Sequence, residues 1–358
     1  MISPAPLLAL LLANFPALPL AAASWTTPPV AGPGLEYRTF WSPIALATAS
    51  FHIYLPPEYH ARPEDRFPTL YWLHGSGSPI AGIPRVRARF ANAMREGRIP
   101  PMIVVFPNGM GSSMWCDSFD GSVPMESVVI DDLLPHVDAT FRTIAARRGR
   151  IVEGFSMGGA GSGRLGFRRP DLFAGISMLG AGPMQLDFMA APEGTDVPPR
   201  QRAELFELVW GGDPAYCLEQ HPWTIAARRA EAHLARCTEL RIAVGELDAM
   251  LGPNLAFHDH LLGLGVPHRM SVVPGVGHQA LATLDSLGED GWRFYRDALA
   301  TPCRHAADLD CDGIVGGADL GQLLAAWGAG HGATDLDGDG AIDATDLATM
   351  LAAWGTVE

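Results

Sequence analysis

Short apolar runs rich in β-branched and aromatic residues recur along the chain at 35–40, 47–55, 69–73, 102–106, 151–152, 175–178, 240–244 and 269–273. Between them, apolar residues return at helical spacing over 126–141, 160–167, 223–235, 254–264 and 291–299. Strands that alternate with helices predict an α/β fold, with a mostly parallel central sheet covered on both faces. The first two runs stand close together and predict an antiparallel hairpin at the sheet edge. Residues 183–222 fit neither pattern, because Pro192, Pro198, Pro199 and Pro214 interrupt them.

The two ends of the chain read differently from this body. Residues 1–23 hold no charged side chain and run through Leu7–Leu12 to Ala21, Ala22 and Ala23, the pattern of a secretory signal peptide. The n-region lacks its usual basic residue, which leaves a short membrane anchor as the alternative. Pro16, Pro19 and the limited length oppose a spanning helix. Residues 24–34, with Pro28, Pro29, Gly32, Pro33 and Gly34, read as a flexible lead-in. With 358 residues, the chain accommodates one large α/β domain over 35–300 and a small module over 301–358.

Charge sharpens that division. All 25 basic side chains are arginine, and the net charge is −14. Residues 301–358 carry ten carboxylates against Arg304 alone, −9 of that total. The remaining body is mildly acidic, so neither a nucleic-acid groove nor a polybasic membrane patch is visible. In an exported chain the five cysteines allow the local pairs Cys217/Cys237 and Cys303/Cys311 and leave Cys116 free; reduced buried thiols are the alternative.

The chemistry concentrates at Gly154-Phe155-Ser156-Met157-Gly158, a G-x-S-x-G sequence between a strand-like run and the small residues Gly159-Ala160-Gly161. A serine hydroxyl is a weak nucleophile, and such a sharp strand-to-helix turn exposes it to substrate and to a base. The Met157 N–H at the helix start would face a tetrahedral oxyanion. Gly245-Glu246-Leu247-Asp248 and Pro274-Gly275-Val276-Gly277-His278 each follow a strand, at the sheet edge that carries the elbow. The order Ser156, Asp248, His278 is that of an α/β-hydrolase triad, with His278 as base and Asp248 orienting it. Glu246 is the alternative acid. The loop Leu73-His74-Gly75-Ser76-Gly77 should supply the second oxyanion donor through the Ser76 backbone N–H, with Gly75 next in line and His74 bracing the loop.

Taken with Tyr54-Leu55-Pro56-Pro57-Glu58-Tyr59, the Leu73-His74-Gly75 loop, Trp115-Cys116-Asp117-Ser118 and the segment from Glu126 through Leu134-Pro135 to Phe141-Arg142, residues 35–300 resemble the esterase D/feruloyl esterase-type family of α/β-hydrolases. That family also includes S-formylglutathione hydrolases and mycolyltransferases. The resemblance implies an α/β-hydrolase fold, a lid or substrate-binding insertion over 183–222, and carboxylester hydrolysis with no cofactor needed for catalysis. Trp115 and Asp117 would contact substrate, with core packing as the alternative for the tryptophan. Gln279 and Cys116 depart from the family pattern.

The last segment repeats at a spacing of 27: Asp308, Asp310, Asp312, Ile314 and Asp319 are matched by Asp335, Asp337, Asp339, Ala341 and Asp346. Positions 1, 3, 5 and 12 of each loop offer carboxylates, position 7 a backbone carbonyl, and Gly313 and Gly340 stand at the sharp turn, the arrangement of a calcium loop. Position 9 is Gly316 in one loop and Asp343 in the other. One helix per loop and aspartate at position 12 resemble a dockerin, a small all-α module with two structural calcium ions. Ala-Ala-Trp closes each helix where cohesin-binding dockerins carry basic residues, which argues against a standard cohesin; a cohesin-like or other cell-surface protein stands as the partner, a purely structural calcium-stabilised tail is the alternative, and Trp327 and Trp354 are expected in the module's core. The expectation for the whole chain is a secreted or cell-surface serine esterase acting on acetyl or feruloyl esters of polysaccharides. An acyltransferase of the same fold and an inactive binding scaffold are the alternatives.

Overall fold

The computed structural model describes residues 24–190, 195, 197–235, 237–300, 305–310, 314–328, 334–337 and 339–356. The expected signal peptide, the Cys303/Cys311 pair and Asp312 lie outside the described residues. Eight strands form one sheet: β1 (Leu35–Ser42), β2 (Ala47–Tyr54), β3 (Thr69–Leu73), β4 (Ile103–Pro107), β5 (Arg150–Phe155), β6 (Gly175–Leu179), β7 (Glu239–Gly245) and β8 (Arg269–Val273), in the spatial order β1-β2-β4-β3-β5-β6-β7-β8. β2 runs antiparallel to both β1 and β4, and every other neighbouring pair is parallel.

Each central strand is buried on both faces, and its residues alternate between two apolar layers. Tyr71 and Leu73 of β3 enter one layer and Leu70 and Trp72 the other. The first layer is covered by residues 125–140 (helix α2), α3 (Met157–Arg168), α6 (Pro222–Ala235) and α7 (Leu251–Gly263), through side chains such as Val137, Phe167, Ala226 and Phe257. The second is covered by α1 (Ile83–Arg95), α8 (Ala280–Ser286) and α9 (Gly288–Ala300), through Phe90, Leu284, Trp292 and Phe294.

Residues 183–222 are more regular than their prolines suggest. They contain α4 (Pro199–Trp210) and α5 (Pro214–Glu219), and α6 begins at Pro222. Proline lacks an N–H that the first helical turn would leave unpaired in any case, so here it starts helices. Asp213 adds a cap, its Oδ1 accepting from the Ala215 N–H at 2.8 Å.

The second layer encloses a polar ladder that crosses three strands. Glu153, Ser177 and Arg241 are register partners on β5, β6 and β7. The Arg241 guanidinium donates to Glu153 Oε1 (2.5 Å), Ser177 Oγ (2.8 Å), Tyr295 Oη (2.8 Å) and Gly291 O (2.8 Å). Ser177 and Tyr295 in turn donate to Glu153, each at 2.8 Å. Both charges are thus buried and fully bonded.

The pair Cys217/Cys237 does not form. Cys217 is a free thiol buried on α5. Cys237 follows the far end of α6, whose 14 residues span about 20 Å, and the two sulfurs are not joined. Cys116 is also buried, and burial pushes its thiol up to about 11.

Towards the C-terminus, a two-stranded ladder of β9 (Ile314–Val315) and β10 (Gly355–Thr356) accompanies α10 (Gly317–Ala325) and α11 (Ala344–Ala352). Ala307, Leu309, Val315, Leu323, Ile342 and Met350 form a separate small core. Trp327 and Trp354 are not part of it and stand 45% and 49% exposed. Each lies four residues beyond an inward side chain, Leu323 or Met350, but the helix ends before the next turn and the chain leaves the face.

Candidate active site

Ser156 sits between β5 and α3 at φ 57°, ψ −120°, a conformation that costs a non-glycine residue on the order of 1–3 kcal/mol and must be imposed by its surroundings. Those surroundings are backbone packed at close range. A Cβ on Gly154 would lie 2.2 Å from the Gly158 carbonyl oxygen, and one on Gly158 would lie 2.0 Å from the Leu73 carbonyl oxygen. The two glycines therefore let the turn press against the end of β3, where Ser76 follows. The Ser156 N–H donates to Leu179 O at 2.9 Å and ties the turn to β6. Met157 is the first residue of α3, so its N–H has no intrahelical acceptor.

Loops after β7 and β8 bring the other two groups to this turn. Ser156 Oγ–H donates to His278 Nε2 at 2.8 Å, and His278 Nδ1–H donates to Asp248 Oδ2 at 2.8 Å. This tautomer follows from the carboxylate, which can only accept. The Asp248 side chain is fully buried while His278 is 41% exposed, and Asp248 Oδ1 accepts from the Met250 N–H at 2.8 Å. The Phe155 ring lies 4.5 Å from the imidazole centroid and limits its rotation. Glu246, the alternative acid, accepts instead from the Gly275 N–H at 2.9 Å and braces the histidine loop.

A cavity of about 260 Å³ opens from this cluster. Ser76, Ser156, Asp248 and His278 line it together with Met114, Pro183, Phe188, Val197, Leu205 and Met250. Met114, the α4 side chains and Gln185 on this wall carry no motif in the sequence; only placement of 183–222 over the sheet could have pointed to them. Behind the wall, Arg164 of α3 donates to the Met114 and Gln220 carbonyls, a buried brace equally silent in the sequence.

Trp115 and Asp117 do not line the cavity. Trp115 is fully buried, with ring atoms against Gly109 and Gly161 and its Nε1–H donating to His74 O at 3.1 Å. Asp117 accepts from the Ser127 N–H (3.0 Å) and Oγ–H (2.6 Å) and so orders the start of α2. His74 donates from Nδ1 to Gly75 O (2.7 Å) and accepts at Nε2 from the Gly109 N–H (3.0 Å).

Burial lowers the His74 pKa to about 4, and burial together with neighbouring Arg164 lowers that of His221 to about 3. Unfolded imidazoles take up protons near pH 6.5, so between that value and these folded values the unfolded state binds more protons. Stability is therefore fully present above about pH 6.5 and falls on acidification, by about 1.4 kcal/mol per pH unit for each histidine. The urea midpoint should be clearly lower at pH 5 than at pH 7; an equal or higher midpoint at pH 5 would contradict these two neutral assignments.

Carboxylate oxygens also gather in the C-terminal module. Those of Asp308, Asp310 and Asp319 lie within 4.8 Å of one another, as do those of Asp335, Asp337 and Asp346. Asp319 accepts from the N–H groups of Leu309 (2.7 Å) and Gly316 (2.7 Å), and Asp346 from those of Leu336 (2.6 Å) and Asp343 (2.8 Å). Asp343 caps α11 by accepting from the Thr345 N–H, and Asp339 accepts from the Ala341 N–H, each at 2.8 Å. Ile314 lies in β9. An all-oxygen set of three close carboxylates fits a hard divalent cation.

The model of the family described as "Putative esterase" matches residues 47–258, a stretch that includes Ser156 and Asp248 and ends before His278. Among curated proteins, an endo-1,4-beta-xylanase/feruloyl esterase of Xylanibacter ruminicola is 31% identical over 158 residues, 41% of this chain and 22% of the relative. An esterase of Mycobacterium tuberculosis is 27% identical over 289 residues, 72% of this chain and 59% of the relative. The chain thus spans less than two thirds of the length of either. Two solved structures share the α/β-hydrolase-like fold: a ferulic acid esterase (TM-score 0.60, 21% identity, covering 73% of this chain and 97% of that one) and the Staphylococcus aureus fluorophosphonate-binding serine hydrolase F (TM-score 0.54, 20% identity, 73% and 97%).

Proposed function

The chain belongs to this esterase family, and we propose on that basis that it is a serine carboxylester hydrolase working through an acyl-enzyme on Ser156. The observation that carries the reading is the bonded series Ser156–His278–Asp248 opening into one cavity. His278 Nε2 takes the hydroxyl proton as Oγ attacks the ester carbonyl, and Asp248 holds the ring and stabilises its charged form. The Met157 and Ser76 N–H groups receive the oxyanion. His278 then returns the proton to the leaving alcohol, and water, activated by the same imidazole, releases the acid.

A cavity at the small end of the usual range for ligands, with mostly apolar walls, suits one compact acyl group. Acetyl or feruloyl esters of polysaccharides are the proposed substrates, a reading supported by the relative that joins a xylanase to a feruloyl esterase. The apolar leader at 1–23 supports secretion, and no helix among the described residues is long and apolar enough to cross a membrane. Hydrolysis of p-nitrophenyl acetate, butyrate and octanoate and of methyl ferulate tests the reading; inertness towards all four would overturn it.

The C-terminal module is proposed to be dockerin-like, to hold two calcium ions on Asp308, Asp310 and Asp319 and on Asp335, Asp337 and Asp346, and to dock on a cell-surface protein. The ions would offset carboxylate repulsion and remain apart from the chemistry. Chelation should remove a calcium-dependent melting transition while changing kcat/KM on p-nitrophenyl butyrate less than twofold; loss of turnover on chelation would refute the separation.

A further inference from the structure

One side chain on the cavity wall is not explained by ester hydrolysis. Arg202 of α4 lines the same cavity as Ser156 and His278. The other arginine of that helix turn, Arg200, is paired with Glu204 at 2.9 Å, whereas Arg202 has no carboxylate partner among the described residues. Its Nη1–H donates to Val197 O at 2.7 Å, and its Nε, shielded from solvent, meets no acceptor. On the same wall Gln185 Oε1 is buried without a donor. The cavity therefore holds one permanent positive charge and one amide whose hydrogen-bonding capacity is unmet, among apolar neighbours that screen charge poorly. Among the described residues that line it, Asp248 is the one acidic side chain, and it is already committed to His278 and Met250.

We propose that Arg202, with Gln185, determines specificity by reading a carboxylate borne by the ester substrate, in its acyl or its alcohol part. With Nη1 engaged, the Nε/Nη2 edge remains, and that edge matches the two oxygens of a carboxylate. A half-turn of the Gln185 amide presents its N–H₂ to the same group. In a chain of net charge −14 an anionic substrate is repelled at long range, so its retention needs such a local cation. The proposal rests on the serine-esterase reading above.

Two pairs of esters test it, each compared by kcat/KM in the unaltered protein, Arg202→Met and Arg202→Lys. The acyl arm sets mono-p-nitrophenyl glutarate against p-nitrophenyl butyrate; the alcohol arm sets acetylated methyl glucuronate, as the free acid, against acetylated methyl glucoside. The unaltered protein should favour the carboxylate-bearing ester about tenfold or more in one arm, which names the source of the carboxylate. Arg202→Met should erase that preference, chiefly through KM, and Arg202→Lys should retain part of it. Each preference is a ratio within one protein preparation, so a misfolded fraction cancels. A preference that survives in Arg202→Met, or none in either arm, overturns the carboxylate assignment while neutral-ester turnover leaves the esterase reading standing. Turnover of none of the four esters overturns both.

Discussion

Ser156→Ala should lower kcat/KM on p-nitrophenyl butyrate by about 10⁴–10⁶-fold and abolish labelling by a fluorophosphonate. The size of the loss follows from the geometry around Oγ. The hydroxyl lies 2.8 Å from His278 Nε2 and belongs to the turn that opens onto the unpaired N–H of Met157 at the helix start. His278→Ala should cost nearly as much, because the hydroxyl then has no base within reach. The double variant should be little worse than either alone, since the two groups act as a unit. Asp248→Asn should cost on the order of 10⁴-fold, because an amide can donate to Nδ1 and favour the unproductive tautomer. Ser156→Ala retaining more than about a hundredth of the original turnover would remove this serine from the chemistry.

Arg241→Met should destabilise the domain by about 3–5 kcal/mol, the largest stability effect expected of a single substitution here. The reason is the state in which it leaves its partners. Glu153 is fully buried, and all three hydrogen bonds to its side chain come from the arginine directly or from Ser177 and Tyr295, which the arginine also bonds. Without the guanidinium its carboxylate must either remain charged in an apolar layer or take up a proton. Adding Glu153→Gln should recover a large share of the loss, because the buried charge is then removed from both sides. Urea unfolding of the four proteins of this cycle gives the coupling directly; a loss below about 1 kcal/mol for Arg241→Met would mean that water enters the layer and solvates Glu153.

The eight strands are legible because each apolar run is short and bounded, and the central ones are buried on both faces, so their composition differs sharply from the helices around them. The elbow is legible for a different reason: the positive φ at Ser156 and the backbone contacts at Gly154 and Gly158 restrict residue choice at adjacent positions. Features built from distant residues leave no such local trace. Glu153, Ser177 and Arg241 meet only because three strands share a register, and Arg202 shares a cavity with Ser156 only because α4 folds back over the sheet. Proline misleads over 183–222, since its meaning reverses between the interior and the first turn of a helix. Trp115 misleads because a tryptophan in a loop suggests a recognition surface, whereas its indole fills the space beside Gly109 and Gly161 and holds the loop after β3 through His74 O.

The strand order also sets how the site is lost. Ser156 follows β5 in the middle of the sheet, but His278 follows β8, which pairs only with β7 and is partly exposed along its length. Base and nucleophile can part when one outer strand frays, while the layers around Phe90 and Phe257 stay packed. Local opening of that strand is expected to cost less than unfolding the domain, so turnover should be lost at a lower temperature than far-UV ellipticity when both are followed on warming.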